Sequence, residues 1–153
     1  MANFQFNVAK GQIKTLFNNV ATSTPSSSAI IVVPLAADSE DDETLKDHDT
    51  LAALLAEDNT EQTDLGRKEL QGADVTVTVN DSTNKLILDM ADSITWAAAT
   101  GDPIDKLIFC YAADKDNDSD TAIVPLLAYD FEANPSGIDI IVSAHANGLI
   151  EIE

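Results

Sequence analysis

Two stretches, 29–35 (AIIVVPL) and 106–112 (KLIFCYA), constrain the fold of this chain more than any other feature. Lys106 apart, both are apolar at consecutive positions, not at alternate ones. A strand sends successive side chains to opposite faces, so such a run needs cover on both sides and belongs inside a sheet. Residues 29–35 read as a buried strand because Ile and Val crowd a helix and suit a pleated surface. Pro34 has no N–H to give a neighbour, which places the end of that strand at a sheet edge or bulge.

The remaining pattern is mostly period two. Val75, Val77 and Val79 alternate with Thr76 and Thr78; residues 80–84 (NDSTN) form a turn; Leu86, Leu88 and Met90 share one face of the return strand. This is a hairpin. Further strands are expected over 94–98, which carries Trp96, over 122–127 and over 138–142, with breaks at Gly101-Asp102-Pro103 and Asn134-Pro135-Ser136-Gly137. Two helices are expected, over 13–20 and over 48–57, the latter capped by Asp47 or Asp49. The chain is therefore mainly β: a single-domain β-sandwich or barrel with two short helices in the N-terminal half.

The first 28 residues read differently from the rest. Phe4, Phe6 and Val8 suggest a short strand or extended arm. Ile13, Leu16, Phe17 and Val20 follow the i, i+3, i+4, i+7 spacing of an amphipathic helix, and the polar connector 21–28 comes next. This divides the chain into an N-terminal arm, 1–28, and a β-rich domain, 29–153. The apolar face of Phe4, Phe6, Ile13, Leu16, Phe17 and Val20 either packs on its own domain or docks on a neighbouring subunit. The docking alternative makes residues 1–20 dispensable for folding and makes these six side chains the binding surface.

Charge narrows the partners. The 153 residues carry 27 Asp+Glu against 8 Lys+Arg, a net charge of −19, and Arg67 is the sole arginine. Spread over the roughly 7,500 Å² of a folded chain this size, these charges lie about 20 Å apart, beyond the ~8 Å Debye length of physiological salt. Clustering therefore matters more than the average. One cluster is Asp38, Glu40, Asp41, Asp42, Glu43, Asp47 and Asp49; the other is Asp114, Asp116, Asp118 and Asp120. Both suit solvated loops. Nucleic acid and anionic membranes, which need grouped Lys and Arg, are poor partners. No apolar run approaches the ~20 residues of a membrane span, and the opening MANF lacks the basic and apolar regions of a secretory signal.

Candidate chemistry is sparse. Asp114, Asp116, Asp118 and Asp120 have the alternate spacing that opens a calcium loop. However, Ser119 stands where such a loop needs Gly, and Pro125 where it needs a bidentate Glu, so they remain weak metal candidates. His48 reads as a surface histidine within the acidic run, and no spacing brings it to His145. Cys110, the only cysteine, lies inside an apolar strand and reads as a structural thiol. No nucleophile elbow, dinucleotide fingerprint or phosphate loop is present. The expectation is a protein that is not an enzyme and carries no cofactor.

Several segments resemble small structural proteins from the head-gene region of tailed bacteriophages. They are MANFQFNVAKGQIKTLFNNV, SSSAIIVVPLAAD, DTLAALLAEDNTEQTD, RKEL, the DSTNK turn, ITWAAATGDPIDKLIFCYAAD and AIVPLLAYDF. The resemblance spans roughly residues 1–142. Its most specific pieces are Lys10-Gly11, the LAALLA helix at 51–56, Trp96, and the C-Y-x-x-D segment of Cys110, Tyr111 and Asp114. Relatives of this kind are expected to carry more glycine where Asp116–Asp120 stands, so no ligand is carried over to that turn.

The resemblance implies a virion component and no catalytic residues. Charge then favours the outer capsid surface over the DNA-filled lumen. The expected role is a decoration (cement) protein bridging major capsid subunits and associating with copies of itself. The alternatives are a tail or neck connector and a cellular acidic β-domain that binds cations or a small ligand.

Overall fold

A computed structural model describes residues 3–36, 40–57 and 59–152. The elements run in the order β1 (Phe4–Gln5), a 3-10 turn (Asn7–Ala9), α1 (Ile13–Ala21), β2 (Ala29–Ala36), α2 (Asp42–Leu45), α3 (Leu51–Ala56) and β3 (Lys68–Leu70). After a second 3-10 turn (Gly72–Asp74) come β4 (Val75–Asn80), β5 (Lys85–Met90), β6 (Ile94–Ala99), β7 (Ile104–Ala112), β8 (Val124–Ala133), β9 (Ile138–Val142) and β10 (Ile150–Ile152).

The strands form three antiparallel sheets: β1-β8-β7-β2-β3, β10-β5-β4 and β6-β9. The large sheet is open at both edges and not a closed barrel, and the domain is sandwich-like. The two doubly apolar runs are its centre. All nine residues of β7 are buried, and β7 pairs with β2 from Ala29↔Ala112 to Ala36↔Ile104. Pro34 sits within β2, one residue before the register shifts between Leu35 and Ala36. Its carbonyl accepts from Gln62 N–H at 2.9 Å, beyond the end of β3. The missing proline N–H therefore points to the side where the β2–β3 ladder has already stopped, and no β7 bond is lost.

Several details differ from the sequence reading. Part of the first acidic run is helical: Asp41 caps α2 by accepting from Glu43 N and Thr44 N at 3.0 and 3.2 Å. There are thus three short helices among the described residues, not two. The cap of α3 is Thr50, whose hydroxyl accepts from Ala53 N at 3.1 Å, not Asp47 or Asp49. Asp38 of that run lies outside the described residues. Strand β8 runs six residues past the expected end at 127, because its outer half pairs with the start of β7 (Ile104↔Ala133, Lys106↔Asp130). Strands β3 and β10, three residues each, are too short to show a period.

The division at residue 28 does not describe the structure. Phe6, Ala9, Ile13, Phe17 and Val20 belong to the same core cluster as Ile30, Phe109 and Leu126. That cluster also takes in Leu88 and Met90 of β5, and Trp96 and Ile140 of the small sheet.

Candidate functional site

The six residues expected to form a docking face are turned inward. Phe6, Phe17 and Val20 are fully buried and Ile13 is 3% exposed; Phe4 and Leu16 are partly buried against the same core. Long-range backbone pairing explains this. Phe4 pairs with Ala128 across β1–β8, Phe6 N donates to Leu126 O at 3.0 Å, and Asn7 N donates to Lys46 O at 2.9 Å. Helix α1 then lies against β4 and β2. An apolar stripe this wide gains more from the nearest apolar surface, which is its own sheet, than from one it must find by diffusion. The N-terminal segment is part of the fold, and the docking surface expected there is corrected accordingly.

The four alternate aspartates do not converge on one point. Asp114 accepts from Asp116 N at 3.2 Å and from Asn117 Nδ2 at 2.9 Å, while Asp118 accepts from Asp114 N at 2.9 Å. These are the local side-chain-to-backbone bonds that stabilise a turn. Asp116 pairs with Lys115 at 2.7 Å, and Asp120 turns away to Arg67 at 2.6 Å. No group of three or more metal-ligating side chains occurs among the described residues.

His48 is less exposed than a surface histidine. Its Nε2 lies 2.8 Å from Glu40, and both side chains are 13% exposed. Asn59 also donates to that carboxylate, at 2.5 Å, and to Leu54 O at 2.9 Å, closing the region between α2 and α3. Cys110 is fully buried in β7, and burial pushes its thiol well above the usual cysteine value, so it is not a reactive nucleophile. His145 caps a tight turn, its Nδ1 accepting from Asn147 N at 3.3 Å.

Sequence reasoning missed how the cations are used. Lys46 pairs with Glu43 at 2.5 Å, and Lys85 with Glu151 at 2.6 Å. Lys115 reaches Glu69 at 3.3 Å in addition to Asp116. Arg67 takes Glu61 at 2.7 Å and Asp120 at 2.6 Å. Lys106, fully buried in β7, lies 3.0 Å from Asp42 and 2.8 Å from Asp130. Among the described residues, Lys46, Arg67, Lys85, Lys106 and Lys115 are therefore held in ion pairs within the chain, and Lys68 lies over the Trp96 ring at 5.8 Å. What faces solvent is predominantly carboxylate.

No protein-family model, curated protein or solved structure matches the chain. No helix among the described residues is long and apolar enough to cross a membrane.

Proposed function

We propose that this chain is a structural virion protein of a tailed bacteriophage, acting as a decoration protein on the outer capsid surface, where it bridges major capsid subunits. The observation that carries the reading is the internal use of the cations. With Arg67, Lys46, Lys85, Lys106 and Lys115 committed to carboxylates of the same chain, the exterior presents a net −19 field with little to attract a phosphate backbone. That field opposes a position beside packaged DNA and suits the outer face of a shell. The sequence resemblance to head-region proteins supports the same reading.

With the N-terminal stripe consumed by the core, the binding surface lies elsewhere. Among the described residues, the large aliphatic side chains left exposed are Val79 at 59%, Ile138 at 67% and Ile141 at 59%. Two of them lie on β9, which among the described residues pairs with β6 alone. A strand at a sheet edge offers both apolar area and ladder hydrogen bonds to a neighbour. Binding the assembled lattice and not free subunits would stabilise the shell by mass action.

Co-sedimentation of the full-length protein with purified heads, and separately with purified tails, of the phage encoding it tests this. Saturable pelleting with heads, lost on Ile138→Asp, is the expected result. Pelleting with tails alone would move the protein to the tail or neck, and pelleting with neither would overturn the virion reading.

A further inference from the structure

A cleft of about 460 Å³ lies between the outer half of the β7–β8 pair and the segment 141–149. Its floor is aromatic. Phe109 of β7 is 1% exposed and meets Tyr129 of β8 edge to face, with ring centroids 5.5 Å apart at 75°. Leu107 and Phe131 extend that floor, and Ile141 and Ala144 form the facing wall.

The wall is held in place. The Tyr129 hydroxyl donates to Leu149 O, and Leu149 N donates to Leu88 O at 2.9 Å. Burial first, and the nearby Asp89 second, push the Tyr129 hydroxyl up to about 12, so it remains a donor at neutral pH. Gly148 lies so close to β5 that a Cβ there would stand 2.6 Å from Ile87 Cγ2 and 2.9 Å from Leu88 O. The cleft is therefore formed before anything binds, within the size range of ligand sites and with the apolar lining they share.

Its charges are already balanced. Asp130 reaches the rim, but its Oδ1 takes the buried Lys106 ammonium at 2.8 Å. His145 accepts at Nδ1 from Asn147 N, which assigns the proton of the neutral ring to Nε2 and leaves a donor at the lip. An anion entering here would meet Asp130, which shares Lys106 with Asp42, and Asp89 beside Tyr129. A buried apolar cavity of about 150 Å³ suffices for benzene, so this cleft accommodates two fused rings. We propose that it is a binding site for a small, uncharged aromatic molecule stacked against the partly exposed rings of Tyr129 and Phe131, with Phe109 buried beneath them. The proposal holds whether or not the chain sits on a virion.

Indole, titrated into the full-length protein and followed by amide and methyl NMR, is the probe. Saturable shifts are expected at Leu107, Ile141 and Ala144 and not at Phe4 or Ile150, which line a separate cavity on the other side of Tyr129 and Leu149. Naphthalene-1-sulfonate, of similar shape but anionic, should bind at least tenfold more weakly. Ala144→Phe, which fills the cleft, should weaken indole at least tenfold. Should that variant fail to fold, Ile141→Trp, made at a side chain already 59% exposed, plugs the cleft from its lip and should do the same. Absence of saturation, shifts at Phe4 and Ile150 instead, equal binding of the sulfonate, or indole binding unchanged in a folded variant would each overturn the proposal.

Discussion

Arg67 holds Asp120 through two parallel hydrogen bonds, Nη1 to Oδ1 at 2.6 Å and Nη2 to Oδ2 at 3.0 Å, between residues 53 apart in sequence. The same guanidinium holds Glu61 through Nε at 2.8 Å and Nη2 at 2.7 Å. One side chain thus ties the loop after α3 to the acidic turn before β8. Arg67→Lys keeps the charge and loses the fork geometry, and should cost about 1–2 kcal/mol in urea unfolding. Arg67→Gln leaves Glu61 and Asp120 without that cation and, because Arg67 and Asp120 are partly solvated, should cost about 1–3 kcal/mol.

The pair also sets part of the acid stability. Hydrogen bonding to Arg67 holds the Asp120 carboxyl below the usual aspartate value, and Lys115 does the same for Asp116. Below the ordinary value of about 3.9, the unfolded chain binds protons that the folded chain still refuses. Stability from these groups is therefore complete above that pH and lost as pH falls through the lowered folded value. Thermal melts should show Asp120→Asn less stable than wild type at pH 7, with a shallower further loss between about pH 4 and pH 2. Parallel curves across that window would remove Asp120 from the account.

Lys106 is a fully buried cation near the start of β7, between Asp105 and the apolar run that begins at Leu107. Burial pulls its ammonium downward, and hydrogen bonds to Asp130 and Asp42 outweigh burial, so its value stands above that of an ordinary lysine. The stabilisation is then present at neutral pH and is lost only as pH rises past the ordinary value of about 10.4 and through the raised one. Lys106→Met retains the packing but removes the cation that Asp42 and Asp130 share. A loss of about 2–3 kcal/mol at pH 7 is expected in denaturant unfolding, with a smaller alkaline decline than wild type.

Removal of the N-terminal segment distinguishes a core element from a detachable arm. Phe17 is fully buried in the core cluster, so Phe17→Ala should cost about 3–5 kcal/mol. Deletion of residues 1–20 also removes Phe6, Ile13 and Val20 and should leave a chain without a cooperative melt. A truncated protein that melts cooperatively near the wild-type temperature would restore the arm.

Ala98 adopts φ +47 in β6, beside the register shift between Trp96 and Ala99. A side chain in this left-handed region costs about 1–2 kcal/mol, while glycine's extra chain entropy returns about 0.5–1 kcal/mol. The side chain is exposed, so little packing is lost on replacement. Ala98→Gly should raise stability by a few tenths to about 1 kcal/mol, read as a rise in melting temperature. Asp139 accepts from Ala98 N at 2.8 Å and keeps the bulge in place.

Legibility followed the range of the physics. The hairpin of β4 and β5 and the buried strands β2 and β7 rest on periods of a few residues, and the sequence shows them directly. Thr50 does not stand out as a cap because Asp47 and Asp49 beside it are equally good caps, and only the backbone direction decides among the three. The aromatic cleft combines β7, β8 and residues 141–149, and no local pattern marks that meeting.

By itself, the sequence determined a mainly β chain with an acidic exterior, a structural cysteine and two central strands. Those properties follow from side-chain chemistry and from alternation along a strand. Tertiary structure alone decided where the amphipathic stripe of α1 went, which carboxylates Arg67 and Lys106 took, and which aliphatic side chains stayed outside. Burial and ion pairing depend on distances across the fold, and residues 53 apart in sequence acquire a 2.6 Å contact only when the sheets have assembled.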